Sequence, residues 1–315
     1  MKKLFFTLIA GTMFAATGMA QVPPTDFGGY QKPENTAKFS QKYADINYAD
    51  DDQLYHTMDI YLPEKGDGPF PVVVHIYGSA WFSNNSKNMA DINTICAALL
   101  DAGYAVVTPN HRSSGDAKYP AQINDIKAVV RYLRGNAEKY NINPEYIGVS
   151  GFSSGAHLAS LMGATNGVKE ATMGGVTMNL EGTVGNYLDQ DSRVYAASEW
   201  SGPIDLLNMD CAGPAQWKPS PEEVVMGMPL EGNEDSYKLL SPVYMLDKDD
   251  VPFLVFHGTE DNVVPVCQGR IIKQALDDAG VKYEYVEVEK GGHGFNMYSP
   301  ENLKKMTDFF DSHRK

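Results

Sequence analysis

Five runs along this chain are apolar at nearly every position rather than at every second one: 71–77, 105–108, 146–149, 194–197 and 252–256. A strand with one wet face alternates in polarity. A strand that reads apolar on both faces is covered on both, as in a parallel sheet lying between helices. Between the runs, apolar residues recur at helical spacing. Ile92, Ile95, Cys96 and Leu99 mark 88–102, which stops at Gly103. Ile123, Ile126, Val129, Val130 and Leu133 mark 120–140, with Pro120 in the first turn, and 268–279 ends at Gly280. Strands alternating with helices of this length predict βαβ units joined by right-handed crossovers. The expected fold is α/β: a mostly parallel central sheet with helices on both faces. No internal repeat is present.

Three segments fall outside this rhythm. The stretch 45–62 alternates like a hairpin, with Asp50-Asp51-Asp52 at its turn. The stretches 165–192 and 208–235 are rich in Gly and in polar residues or Pro. Long irregular insertions after strands are expected to overhang the carboxyl edge of the sheet as cap-like loops that shape access.

At the amino end, Met1-Lys2-Lys3, an apolar run from Leu4 to Ala16 and then Gly18-Met19-Ala20 describe a secretory signal peptide over 1–20. The run is too short to span a bilayer, and no cysteine near the cut offers a lipid anchor. Residues 21–44 are expected to form an extended arm and 45–315 one catalytic domain, exported to the periplasm or the medium. The 315-residue chain carries a formal charge of −14, which becomes −16 when Lys2 and Lys3 are removed with the leader. Such a surface repels nucleic acid and anionic membranes and favours a small or neutral partner. Cys96, Cys211 and Cys267 are too few for a disulfide scaffold; one bridge with a thiol left over and three thiols both fit.

The chemistry sits where the run 146–149 gives way to an Ala/Leu-rich stretch, at Gly151-Phe152-Ser153-Ser154-Gly155. A serine on a sharp strand-to-helix turn is crowded, so residues two away must be small. A serine hydroxyl needs a base and the base needs an orienting acid. Gly291-Gly292-His293-Gly294 follows a strand-like stretch at 282–288 and offers the histidine. His257-Gly258-Thr259-Glu260-Asp261 closes an apolar run and offers Asp261. Glu260 is expected to point elsewhere on its turn. Glu199 is the stronger rival, because the acid can sit one strand earlier. His75, His111, His157 and His257 read as structural. No His/Cys/Asp cluster has metal-ligand spacing, and the chemistry needs neither metal nor cofactor. For the oxyanion, backbone N–H groups are expected from Ser154, Gly78 and Ser79. Tyr77, Trp81 and Phe152 are candidates for the substrate pocket.

The order Ser153, Asp261, His293 resembles that of the α/β-hydrolases, and in particular their exported carboxylesterases that deacylate plant polysaccharide. The resemblance covers nearly all of 45–312. It includes Asn110-His111-Arg112-Ser113, Tyr119-Pro120-Ala121-Gln122 with Asp125, the elbow, Gly202-Pro203 and both later loops. It implies a serine esterase acting on acetyl or feruloyl esters, with Arg112 and Asp125 as scaffold. Where such esterases carry His-Gly-Gly-Gly-Trp, this chain has Tyr77-Gly78-Ser79-Ala80-Trp81. A tyrosine there is similar to prolyl-oligopeptidase-like peptidases, whose phenol helps hold the oxyanion; the favoured expectation is that Tyr77 packs and hydrogen-bonds the loop. The alternatives are such a peptidase, a general small-ester carboxylesterase, or a non-catalytic binding protein on the same fold.

Overall fold

The five apolar runs all lead into one eight-stranded sheet. The computed structural model describes residues 37–89, 91–213 and 218–314. Strands β1 (Gln41–Asn47) and β2 (Thr57–Leu62) form the expected hairpin, with Asp50-Asp51-Asp52 in its connection. Then come β3 (Phe70–Ile76), α1 (Ile95–Asp101), β4 (Ala105–Pro109), α2 (Ala121–Gly135), β5 (Ile142–Phe152) and α3 (Ser154–Ala164). A small hairpin of β6 (Glu170–Met173) and β7 (Val176–Asn179) precedes β8 (Ala197–Trp200), α4 (Pro221–Met226) and α5 (Glu234–Leu240). The chain closes with β9 (Phe253–Gly258), α6 (Val266–Ala279), β10 (Tyr283–Val288) and α7 (Pro300–His313).

The sheet order is β1-β2-β4-β3-β5-β8-β9-β10. From β4 to β10 all neighbours run parallel, while β2 is antiparallel to both β1 and β4. Burial on both faces explains the continuous apolar runs. On β3, Val72, Val74 and Ile76 pack with Ile126 and Val129 of α2 and Leu158 of α3. Val73, between them, faces the other core with Leu99 of α1 and Phe309 and Phe310 of α7. Successive residues of a strand point to opposite faces, so one run feeds two cores.

Several boundaries move. The run at 194–197 only leads into its strand: β8 begins at Ala197 and continues through Ser198 and Glu199, polar yet fully buried. The helix expected over 88–102 is confined to Ile95–Asp101, and that over 120–140 stops at Gly135. The arm expected over 21–44 gives way to β1 at Gln41; residues 21–36 and the leader expected over 1–20 lie outside the described residues. Of the insertions, 165–192 holds the β6–β7 hairpin, and 208–235 holds α4 with its Ser220–Glu223 capping box. Cys211 and Cys267 form a disulfide that ties the second insertion to the start of α6, and Cys96 is buried outside it. Among the described residues no helix is long and apolar enough to cross a membrane.

Candidate active site

The nucleophile candidate stands between a strand and a helix with almost no room around it. β5 ends at Phe152, α3 begins at Ser154, and Ser153 between them has φ 55° and ψ −124°. That conformation is sparsely populated for a residue with a Cβ and persists only where its surroundings enforce it. Here they do. A Cβ on Gly151 would overlap the backbone of Gly155, and one on Gly155 would overlap the Ile76 carbonyl of β3. The glycines are therefore required by close approach of the helix to the strand and its neighbour. Ser153 N–H donates to the Trp200 carbonyl at the end of β8 (2.9 Å), which pins the elbow from the other side.

The chain brings Ser153 together with Asp261 and His293, both of which lie more than a hundred residues further along the sequence. His293 Nε2 lies 2.9 Å from Ser153 Oγ, and its Nδ1 lies 2.8 Å from Asp261 Oδ2. The other Asp261 oxygen, Oδ1, accepts the N–H groups of Val263 and Val264, both at 2.9 Å. Burial pushes the Asp261 carboxyl up, but its hydrogen bonds from His293, Val263 and Val264 outweigh that and hold it below the usual carboxylate value. Glycines also lock the two loops together. Gly258 packs so closely on Gly291 that neither has space for a side chain, and Glu260 N–H donates to the Gly291 carbonyl (2.8 Å). His257 braces the turn by a contact between its Nε2 and the Val264 carbonyl (2.9 Å).

Around the hydroxyl, a Cβ on Gly78 would come within 2.7 Å of Ser153 Cβ and 2.8 Å of the Phe152 carbonyl. The backbone at 78 thus lies directly against the nucleophile. Ser79 N–H is already engaged: it donates to Ser154 Oγ (2.9 Å). Its expected role as a donor facing the substrate is replaced by a tie between this loop and the residue after the nucleophile. Ala80 and Trp81 continue the loop at positive φ, 50° and 61°. Two pocket candidates are corrected. Trp81 is 1% exposed and sets its ring edge-on to His157 (5.0 Å), while Tyr77 is 2% exposed and stacks on His111 (5.0 Å). The Tyr77 phenol donates to the Ser83 carbonyl (3.0 Å). Large flat rings fill space under a tight loop, and apolar burial outcompetes a place at the pocket wall. Phe152 is half-buried, its ring 4.8 Å from that of His293.

The rival groups have other duties. Glu199 is fully buried on β8, opposite Gly151 of β5, and its Oε2 accepts the Gly202 N–H (2.8 Å). Burial raises its carboxyl to about 8, so at neutral pH it is chiefly a neutral acid. Glu260 is exposed. His157 Nε2 contacts the Leu240 carbonyl (2.7 Å), and burial lowers its pKa to about 4. His75 lies against Ser150 and Asp91, and His111 against the Arg112 carbonyl. Arg112 holds Asp125 through its guanidinium, bracing the start of α2. Among the described residues no group of His, Cys, Asp and Glu is placed to hold a metal ion.

Two contributions escape a sequence reading. Besides the Ser154 hydroxyl, Gln268 at the start of α6 is fully buried and clamps the loop after β8. Its Oε1 accepts the N–H groups of Ile204 (2.8 Å) and Asp205 (2.7 Å), and its Nε2 donates to the Asn208 carbonyl (2.9 Å). The only sequence signal is the neighbouring Cys267, whose bridge to Cys211 reinforces the same loop.

Residues 58–276 match the BD-FAE family model. A truncated carbohydrate esterase from gut microbiota superposes with a TM-score of 0.86 at 44% identity, over 90% of this chain and 99% of that one. A bifunctional GH43-CE protein of Bacteroides eggerthii superposes with a TM-score of 0.83 at 48% identity, over 86% of this chain and 35% of that one. A probable carboxylic ester hydrolase of Mycobacterium tuberculosis, LipM, is 28% identical over 256 residues, 80% of this chain and 56% of that protein. The chain spans about half the length of the curated relatives it matches.

Proposed function

The chain belongs to the BD-FAE family, and we propose that it is a carboxylic ester hydrolase of the α/β-hydrolase type that deacylates plant polysaccharide or oligosaccharide through an acyl-enzyme on Ser153. The observation that carries the chemistry is the unbroken relay Ser153 Oγ to His293 Nε2 (2.9 Å) and His293 Nδ1 to Asp261 Oδ2 (2.8 Å). The carbohydrate assignment draws on the names of the two solved relatives above 40% identity. Acetyl is placed ahead of feruloyl.

In the forward reaction Ser153 Oγ attacks the ester carbonyl carbon and its proton passes to His293 Nε2. Asp261, held by two backbone N–H groups, accepts from Nδ1–H and so keeps Nε2 as the acceptor. The negative charge developing on the carbonyl oxygen is met by the N–H groups of Ser154 and Gly78. Preorganised donors of this kind cost no reorganisation when charge appears. The tetrahedral intermediate expels the alcohol, which takes the proton from His293. Water then repeats the sequence on the acyl-enzyme, releasing the acid and restoring Ser153. The Ser154 hydroxyl keeps Ser79, and with it the loop from Gly78, in register with the elbow.

A secretory leader over 1–20 and export to an oxidising compartment belong to the same proposal. The Cys211–Cys267 bridge suits that setting, since disulfides persist outside the reducing cytosol. A peptidase reading rested on the Tyr77 phenol, which donates instead to the Ser83 carbonyl. The deciding assay compares acetylated xylan, feruloylated arabinose, short aryl esters and aminoacyl-proline amides. Esters should be cleaved and acetylated xylan should release acetate. An amide hydrolysed faster than every ester would overturn the proposal.

A further inference from the structure

At the far edge of the sheet lies a cavity of about 240 Å³ that takes no part in the chemistry described above. Its walls include Asn47 from the β1–β2 hairpin, Tyr132, Asn136 and Lys139 from the end of α2 and its exit, and Asn186 with Tyr187 from the loop after β7. β1 is four strands from β5 in the sheet order. At about 4.8 Å per strand, this places its edge roughly 19 Å from the nucleophile strand.

We infer that this cavity is a second, non-catalytic site for one sugar unit of a neutral oligosaccharide chain, an inference that rests on the carbohydrate reading above. A pyranose ring offers a flat face of C–H bonds and a rim of hydroxyls that both donate and accept. The cavity offers a matching set: tyrosine rings for the apolar face, and the carboxamides of Asn136 and Asn186, each of which keeps an N–H and an oxygen lone pair beyond its bonds within the wall. Asn47, by contrast, is fully used inside the hairpin. Its volume lies below the roughly 300 Å³ where pockets for whole drug-sized ligands begin, which suits a single unit with the rest of the chain running over the surface.

The walls are fixed before any ligand arrives. The Tyr187 ring lies on Gly135 so closely that a Cβ there would overlap it, and it stands edge-on to Tyr132 (5.4 Å, 80°). Its phenol donates to Asn136 Oδ1 (3.2 Å), and the Tyr132 and Tyr140 phenols are paired (3.1 Å). Asn186 Nδ2 donates to Asp50 Oδ2 (2.6 Å), closing the loop onto the hairpin. Aromatic groups held rigid in this way bind without losing rotamer freedom, which is where much of the cost of a weak site lies. A polymer held here stays near the enzyme while its ester groups sample Ser153; a small ester gains nothing from it.

The test uses the whole protein with Ser153 blocked by a fluorophosphonate and a deacylated xylo-oligosaccharide as probe, so that neither turnover nor the active site contributes to binding. Binding should be measurable by calorimetry and weaken roughly three- to tenfold in Tyr187→Ala. The exposed Asn186→Ala provides a second variant should Tyr187→Ala fail to fold, and should weaken binding in the same direction. Unblocked, both variants should hydrolyse an aryl acetate at the wild-type rate and acetylated xylan more slowly. No binding by the blocked wild type, or unchanged binding in the variants, overturns the inference. Binding lost in the variants with no deacylation of xylan by the wild type would retain this site and overturn the substrate proposal instead.

Discussion

Glu199 provides a quantitative test of the site's electrostatics. It lies between Gly151 of β5 and Val255 of β9, with one carboxyl oxygen on the Gly202 N–H and no hydrogen-bond partner for the other. Burial raises its pKa to about 8 from the ordinary 4.5. Between those values the folded protein keeps a proton that the unfolded chain has lost. Folding stability therefore falls as pH rises through this window, by about 1.4 kcal/mol per pH unit at its steepest. The full contribution is present below about 4.5 and is gone above about 8. The whole loss is on the order of 4–5 kcal/mol. Glu199→Gln replaces the neutral acid with a neutral group of the same shape and cannot titrate. Urea unfolding of both proteins at pH 5, 6, 7 and 8, with the disulfide intact, cancels every other titrating group. The two should match near pH 5, and the variant should gain steadily, by several kcal/mol at pH 8. Esterase turnover should change less than threefold. A stability difference that is flat with pH, or grows towards acid, would refute the reasoning; a crippled turnover would move the orienting acid to β8.

Asp261→Asn should behave in the opposite way. The amide oxygen can still accept from Val263 and Val264, which turns the amide N–H₂ toward His293 Nδ1. Imidazole is then held with its proton on Nε2, facing Ser153 as a donor, and steady-state kinetics should show kcat lower by about 10⁴. Tyr77→Phe keeps the stack on His111 and removes only the bond to Ser83, so kcat should stay within about threefold while denaturation shows a loss of roughly 1 kcal/mol. Cys211→Ala removes a link across 56 residues of sequence, and chain entropy sets its cost near 4 kcal/mol at most, measurable as a lower urea midpoint.

How much of this was legible follows from where the information sits. The parallel sheet was readable because both faces of β3, β4 and β9 are buried, leaving runs that are apolar at nearly every position, with only His75, Thr108 and His257 among them. β8 was displaced by three residues because its own sequence, Ala197-Ser198-Glu199-Trp200, carries polar groups that only tertiary partners satisfy. α7 went unread although Ser299 caps it and Met306, Phe309 and Phe310 bury its inner face. Its role shows only once the second core of the sheet needs a cover. The relay was legible because tight loops demand glycines: they flank Ser153 and His293, and Gly258 opens the loop that carries Asp261. The Ser79–Ser154 bond joins residues 75 apart, and the burial of Trp81 depends on His157 across the elbow. Neither contact leaves a local pattern.

The most direct measurement is fluorophosphonate labelling followed by peptide mapping of the modified chain. The expected result is an adduct confined to Ser153, formed rapidly in the wild type, slowly in Asp261→Asn and not at all in Ser153→Ala, with ester turnover in Ser153→Ala lower by several orders of magnitude. An adduct on another residue, or a folded Ser153→Ala protein that keeps as much as a tenth of wild-type turnover, would contradict it.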